Sequence, residues 1–146
     1  MAACSSPLAD DWLLQPPLNV IRLSLHPAGL APRIANYTAW RAHLLARLRR
    51  QVDVSADPVL VDLLRETSAY SAPTGLHARA YTPLHSGSAV AVPLQLRTEV
   101  GELAFISTTM IFGTPIDITV AELALESFFP ADAATAAAMQ RLVRQS

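Results

Sequence analysis

Apolar positions along the chain change their period part-way through. From Tyr37 to Val52, Trp40, Leu44, Leu48 and Val52 recur every four residues, Leu45 broadens the stripe, and Arg41, Arg47 and Arg50 fall largely elsewhere. That spacing predicts an amphipathic helix. Asp57-Pro58 then supplies a capping carboxylate followed by proline at a first helical position, and Leu60, Leu63 and Leu64 behind it predict a second helix running to about Tyr70. Upstream, Asn19 can cap a short helix over residues 20–25, ended by His26-Pro27 because a residue before proline is pushed out of the helical region; a strand is the competing reading. Residues 1–18 lack periodicity, yet Trp12, Leu13 and Leu14 are apolar enough to predict a segment that docks. Residues 71–88, with Pro73, Gly75, Pro83 and Gly87, read as a long loop.

After Ala89 the period becomes two. Val90, Val92, Leu94 and Leu96 alternate with Ala91, Pro93, Gln95 and Arg97, as a half-buried strand requires, and Pro93 points to an edge or a bulge. Thr98 to Gly101 forms a hairpin turn, Glu102 to Phe112 a second strand, and Asp117 to Phe129 a third, after a break at Gly113-Thr114-Pro115. The alanine-rich end, with Asp132 as cap and Arg141 and Arg144 late, predicts a closing helix that complements its own dipole. Helices, an antiparallel meander and a final helix give an α+β fold. Three strands are fewer than the four to six or so of common sheets, so the sheet is expected to lack partners.

With 146 residues the chain suits a single domain. Its apolar fraction of 51% is high, but no run approaches the roughly 18 apolar residues of a membrane span, so no membrane is expected and the surplus favours an apolar ligand or a partner surface. A net charge of −1, with eleven Arg and no Lys, gives no general reason to expect nucleic acid. The opening residues carry neither a basic start nor an apolar run of signal length, and Cys4 is the only cysteine, which predicts a cytoplasmic protein without an intrachain disulfide.

Catalytic chemistry finds little purchase. His26, His43, His77 and His85 have no Cys or carboxylate at ligand spacing, so neither metal nor cofactor is expected. No serine or cysteine sits in a nucleophile motif. Glu122 and Glu126 resemble an acid pair, but they alternate with Leu123 and Leu125 as the wet face of a sheet should. Arg41, Arg47, Arg49 and Arg50, with Arg33 upstream, form a basic run better read as a solvated helix face or a contact with a neighbouring segment than as a phosphate grip. Neither a helix-turn-helix pattern nor a stacking platform is present. The chain is not expected to be an enzyme.

The inner face of the sheet is the most informative feature. If Glu102, Glu122 and Glu126 face water, period two turns Leu103, Phe105, Ser107, Thr109 and Ile111 inward on one strand and Leu123 and Leu125 inward on the next. Together with Leu94 and Leu96, and with Val90 and Val92 before them, they make an apolar wall carrying two hydroxyls. Such a wall suits a mainly apolar ligand with a polar head, or an ordinary core whose hydroxyls bond to backbone.

Three runs also carry a family resemblance. They are Asn19-Val-Ile-Arg-Leu-Ser-Leu-His-Pro27 through Leu30-Ala-Pro-Arg-Ile34; Trp40-Arg-Ala-His-Leu-Leu-Ala-Arg-Leu-Arg-Arg-Gln51; and Gly101 to Asp117, continuing from Glu122 to Asp132. In this order, over about residues 12–144, they resemble the C-terminal ligand-binding domain of MmyB-like, XRE-type helix-turn-helix transcriptional regulators of bacteria. The resemblance implies a PAS-like fold, a fatty-acid-like ligand at the level of the family, and DNA contacted only through a helix-turn-helix that this chain lacks. No ligand contact transfers residue by residue. The chain starts at a point matching the middle of the family's domain, so residues 1–18 are expected as a partly docked segment and 19–144 as a domain without its first strands. A late start codon, a gene remnant, or completion of the sheet by self-association, as a homodimer, would each account for that. The expected function is a ligand-sensing regulatory domain; the alternative is a protein–protein or dimerisation module without a small-molecule ligand.

Overall fold

The computed structural model describes residues 9–16, 19–74, 84–86, 89–112 and 123–145; for 84–86, 89–91, 109–112, 123–125 and 145 the description is of the backbone path. It is α+β, and it divides into two compact units, residues 1–81 and 82–146.

In the first unit the amphipathic spacing becomes helix α2, Tyr37–Ser55, whose buried residues Tyr37, Trp40, Leu44, Leu45 and Leu48 trace the expected stripe. Asp57 caps α3, Pro58–Ala69, by accepting the Val59 N–H at 2.8 Å, as its position before proline requires. The short helix wins over the strand at α1, Val20–Leu25: the Asn19 side chain accepts the Arg22 N–H at 2.9 Å, a bond that only the helical turn brings into reach. A tight turn follows α1, where Gly29 donates to His26 O and Leu30 to Leu23 O, both at 2.9 Å. A side chain at Gly29 would meet the Leu23 carbonyl oxygen at 2.2 Å, so only glycine lets the backbones approach this closely. Residues 11–14 form a 3₁₀ turn that buries Leu13, and just before it Asp10 donates its N–H to Ala28 O at 2.9 Å.

The second unit carries the expected three-stranded antiparallel sheet and, in addition, a separate two-stranded ribbon among its described strands. β1 (Leu84–Ser86) and β2 (Ala89–Ala91) pair antiparallel as a separate small ribbon, so part of the stretch read as loop is strand. The single strand expected from Val90 to Leu96 is interrupted at Val92-Pro93, because proline offers no N–H to a ladder, and resumes as β3, Leu94–Thr98. β3, β4 (Gly101–Phe112) and β5 (Leu123–Pro130) form an antiparallel sheet in that order. The β3–β4 turn ends at Gly101, whose φ of 116° is open only to glycine. Helix α4, Ala133–Gln145, is capped by Asp132, which accepts the Thr135 N–H at 2.7 Å. Ala104 of β4 donates its N–H to Thr135 Oγ1 on α4 at 2.9 Å and accepts the N–H of Ala131, just before the helix, at 2.8 Å.

Among the described residues no helix is long and apolar enough to cross a membrane.

Candidate functional site

Directly paired residues of antiparallel strands share a face, so the register decides which expected wall residues belong together. Leu94 pairs with Phe105 and Leu96 with Leu103. These four, with Ser107, fall in one set; Leu94 and Leu103 are buried, and Leu96, Phe105 and Ser107 half-buried. In backbone position Thr109 and Ile111 continue that set, but their partners in β5 are Glu126 and Ala124. Leu123 and Leu125 pair with Phe112 and Met110 and belong to the opposite set. The expectation that Glu102 and Glu126 share the wet face while Leu123 and Leu125 complete the wall is therefore corrected by one residue of register. Its cause is physical: a slip of one residue inverts every side chain of a strand, and nothing within β5 itself fixes its phase against β4. Half-buried Glu126 thus enters the set that holds Leu103 and Phe105.

Of the other candidates, Cys4, His77 and Glu122 lie outside the described residues, and His85 is described only as part of β1. Among the described residues no group of His, Cys, Asp and Glu could hold a metal ion. The basic run is partly spoken for: Arg41 Nη2 donates to Ser68 O at 2.7 Å, joining α2 to the end of α3, and Arg49 and Arg50 are exposed.

A second constellation, in the helical unit, escaped sequence reasoning. Arg22 on α1 grips Glu66 on α3 with two parallel hydrogen bonds, Nε to Oε1 and Nη2 to Oε2, both 2.7 Å. Tyr70 donates its hydroxyl to Glu66 Oε1. Arg22's hydrogen bonds, with help from Tyr70, hold the Glu66 carboxyl at about 2 against the opposing effect of burial. Burial and the neighbouring carboxylate push the Tyr70 phenol up to about 12. The imidazole of His26 lies edge-on between Trp12 and Tyr70, with ring centroids 5.0 and 4.9 Å away, and its Nδ1 accepts the Ala28 N–H at 3.0 Å. Beside this cluster Trp12, Leu13, Gln15, Pro16, Asn19 and Arg22 line a cleft of about 270 Å³. Arg22 and Glu66 stand 44 residues apart, so no local spacing could have announced the pair; the His26-Pro27 step registered only as a helix stop.

No curated protein and no solved structure matches the chain. The family model of the MmyB-like transcription regulator ligand binding domain matches residues 2–142, nearly the whole chain. That family is one of regulator domains that bind ligands, not a known family of enzymes. The chain belongs to the MmyB-like ligand-binding domains of transcription regulators.

Proposed function

We propose that this domain senses a mainly apolar, fatty-acid-like molecule on behalf of an XRE-type regulator, acting in the cytoplasm without catalysis, on a PAS-like scaffold. DNA contact is assigned to a helix-turn-helix outside these residues. The observation that carries the reading is the shared face of Leu94, Leu96, Leu103, Phe105 and Ser107, to which Thr109 and Ile111 are added by register. Apolar side chains there can bury an acyl chain, and the Ser107 hydroxyl can bond its polar head. Leu123 and Leu125 would serve the same ligand only from the other set of β5 positions. Native mass spectrometry of the purified chain should reveal a co-purified acyl ligand, and added decanoate should raise the melting temperature by several degrees. A ligand-free chain that no fatty acid stabilises would remove this reading.

A second reading has its own support. Phe128 and Phe129 on β5 and Met139, Leu142 and Val143 on α4 are exposed, Val143 by 76%. Exposed apolar side chains of this kind suit a protein partner, and a homodimer is the simplest. Sedimentation equilibrium checks it: a strict monomer at high micromolar concentration excludes the dimer.

A further inference from the structure

We infer that the cleft over Trp12 and Arg22 is a separate binding site for a small, flat, uncharged molecule that presents a carbonyl oxygen. Its described lining is Trp12, Leu13, Gln15, Pro16, Asn19 and Arg22, and it does not depend on the acyl site proposed for the sheet.

Size argues first. At about 270 Å³ the cleft falls just under the roughly 300–1,000 Å³ of pockets for drug-sized ligands, so one ring or a fused pair fills it and a long acyl chain does not. Its floor and walls include the indole of Trp12, half-exposed at 51%, with Leu13 and Pro16, which suits a flat apolar body.

Hydrogen-bonding capacity argues next. Asn19 spends its side-chain oxygen on the Arg22 N–H, so its NH₂ group is the end left to a ligand. Arg22 spends Nε and Nη2 on Glu66, so Nη1 stands outside the ion pair. Gln15 adds an amide that donates or accepts. Among the described residues, no acid lines the cleft. The polar rim is therefore rich in donors and calls for an acceptor.

Charge then separates a carboxylate from a neutral carbonyl. The Arg22 guanidinium is already neutralised by Glu66 at 2.7 Å, so a ligand carboxylate would gain one cation only by approaching a second anion. A neutral carbonyl takes the Nη1 hydrogen bond without that repulsion. The same ion pair holds the guanidinium in place before the ligand arrives, which lowers the entropy lost on binding.

Benzamide and benzoate, nearly identical in shape, are the probes. The chain has two tryptophans, so the indole N–H region of a ¹⁵N-correlation spectrum holds a signal for Trp12 and one for the buried Trp40 as an internal control. Titrating the full chain with benzamide should move the Trp12 signal saturably and leave Trp40 in place, with benzoate at least fivefold weaker and decanoate without effect on Trp12. Arg22→Lys, which keeps the charge beside Glu66 but gathers its donors on a single nitrogen and so removes the separate Nη1 arm, should weaken benzamide at least fivefold. Exposed Gln15→Leu, a change that leaves the fold alone, should weaken it by about twofold. A Trp12 signal that does not move overturns the site, and benzoate binding as tightly as benzamide overturns its chemistry. Either result leaves the acyl reading of the sheet standing, because decanoate stabilisation is measured separately.

Discussion

The two units seal themselves from solvent with different materials. In the helical unit the side chains closed off completely are mostly large and apolar, Trp40, Leu25, Ile34 and Leu48, with Thr67 bonded back to Leu63 O at 2.7 Å. In the sheet unit the fully closed side chains among the described residues are Thr135 and Pro93. Cross-links differ as well. The helices are joined by long side chains reaching between elements, Arg22 to Glu66, Arg41 to Ser68 O and Tyr37 Oη to Leu25 O, whereas α4 is joined to its sheet through the backbone of Ala104. The helical unit should therefore be sensitive to lost volume, and the sheet unit to lost hydrogen bonds. Each substitution below breaks that contrast or sharpens it.

Trp40 carries the largest expected effect. Trp40→Ala empties a site that is 2% exposed and should cost about 3–5 kcal/mol in urea unfolding. Its indole N–H has no hydrogen-bond partner, so Trp40→Phe orphans nothing and should cost only about 1–2 kcal/mol, from volume alone. If Phe proved as damaging as Ala, volume would not be what this unit rests on.

Thr135→Val makes the opposite test. The shape is kept and one oxygen is lost, leaving the Ala104 N–H without its 2.9 Å acceptor, so the expected cost is about 1–3 kcal/mol. The measurement is the urea midpoint at unchanged slope. A cost below about 0.5 kcal/mol would remove the contrast between the units.

The same contrast governs how much of the molecule was legible in its sequence. Helices announce themselves locally: the four-residue recurrence from Trp40 to Val52, Asp57 before Pro58, Asn19 three residues before Arg22 and Asp132 before the alanine run all became the elements they predicted. Sheet alternation is just as visible along one strand, and the turn at Gly101 fixed the β3–β4 register because only two residues separate the strands. Between β4 and β5 lie ten residues, and a count of one more or fewer moves Leu123, Leu125 and Glu126 to the other set. β1 was hidden among proline and glycine, where three residues are too short to show a period. The Arg22–Glu66 pair and its cleft were invisible for another reason, since they depend on α1 and α3 meeting in space.

That pair sets the next prediction. Arg22 and Glu66 are 35% and 39% exposed, so screening by solvent reduces their bidentate contact to a coupling of about 1 kcal/mol in a double-mutant cycle of Arg22→Gln and Glu66→Gln. The pH dependence has a definite sign. Glu66 is held at about 2, below its usual 4.5, so its contribution is complete above about pH 4.5 and is lost as pH falls toward 2. Glu66→Gln should flatten the acid limb of the stability profile in that window. A profile identical to that of the parent chain would mean that the ion pair does not stabilise the unit.

The smallest effect belongs to a position where the helical unit departs from its own rules. α2 ends at Ala56, whose φ of 50° is a left-handed conformation that Cβ penalises, and which closes the helix through Ala56 N–H to Val52 O at 2.8 Å. Ala56→Gly removes the steric penalty, about 1–2 kcal/mol, but also loosens the unfolded chain, which returns about 0.4–1 kcal/mol. The net expectation is a gain of about 0 to 1.6 kcal/mol, centred just under about 1, read as a higher urea midpoint. Ala56 is exposed, so no packing is lost and the sign tests the backbone alone. A gain shows that this unit, for all its reliance on side-chain volume, still stores strain at the joint between α2 and α3. A loss would place the cost of the left-handed alanine below the entropy that glycine adds to the unfolded chain.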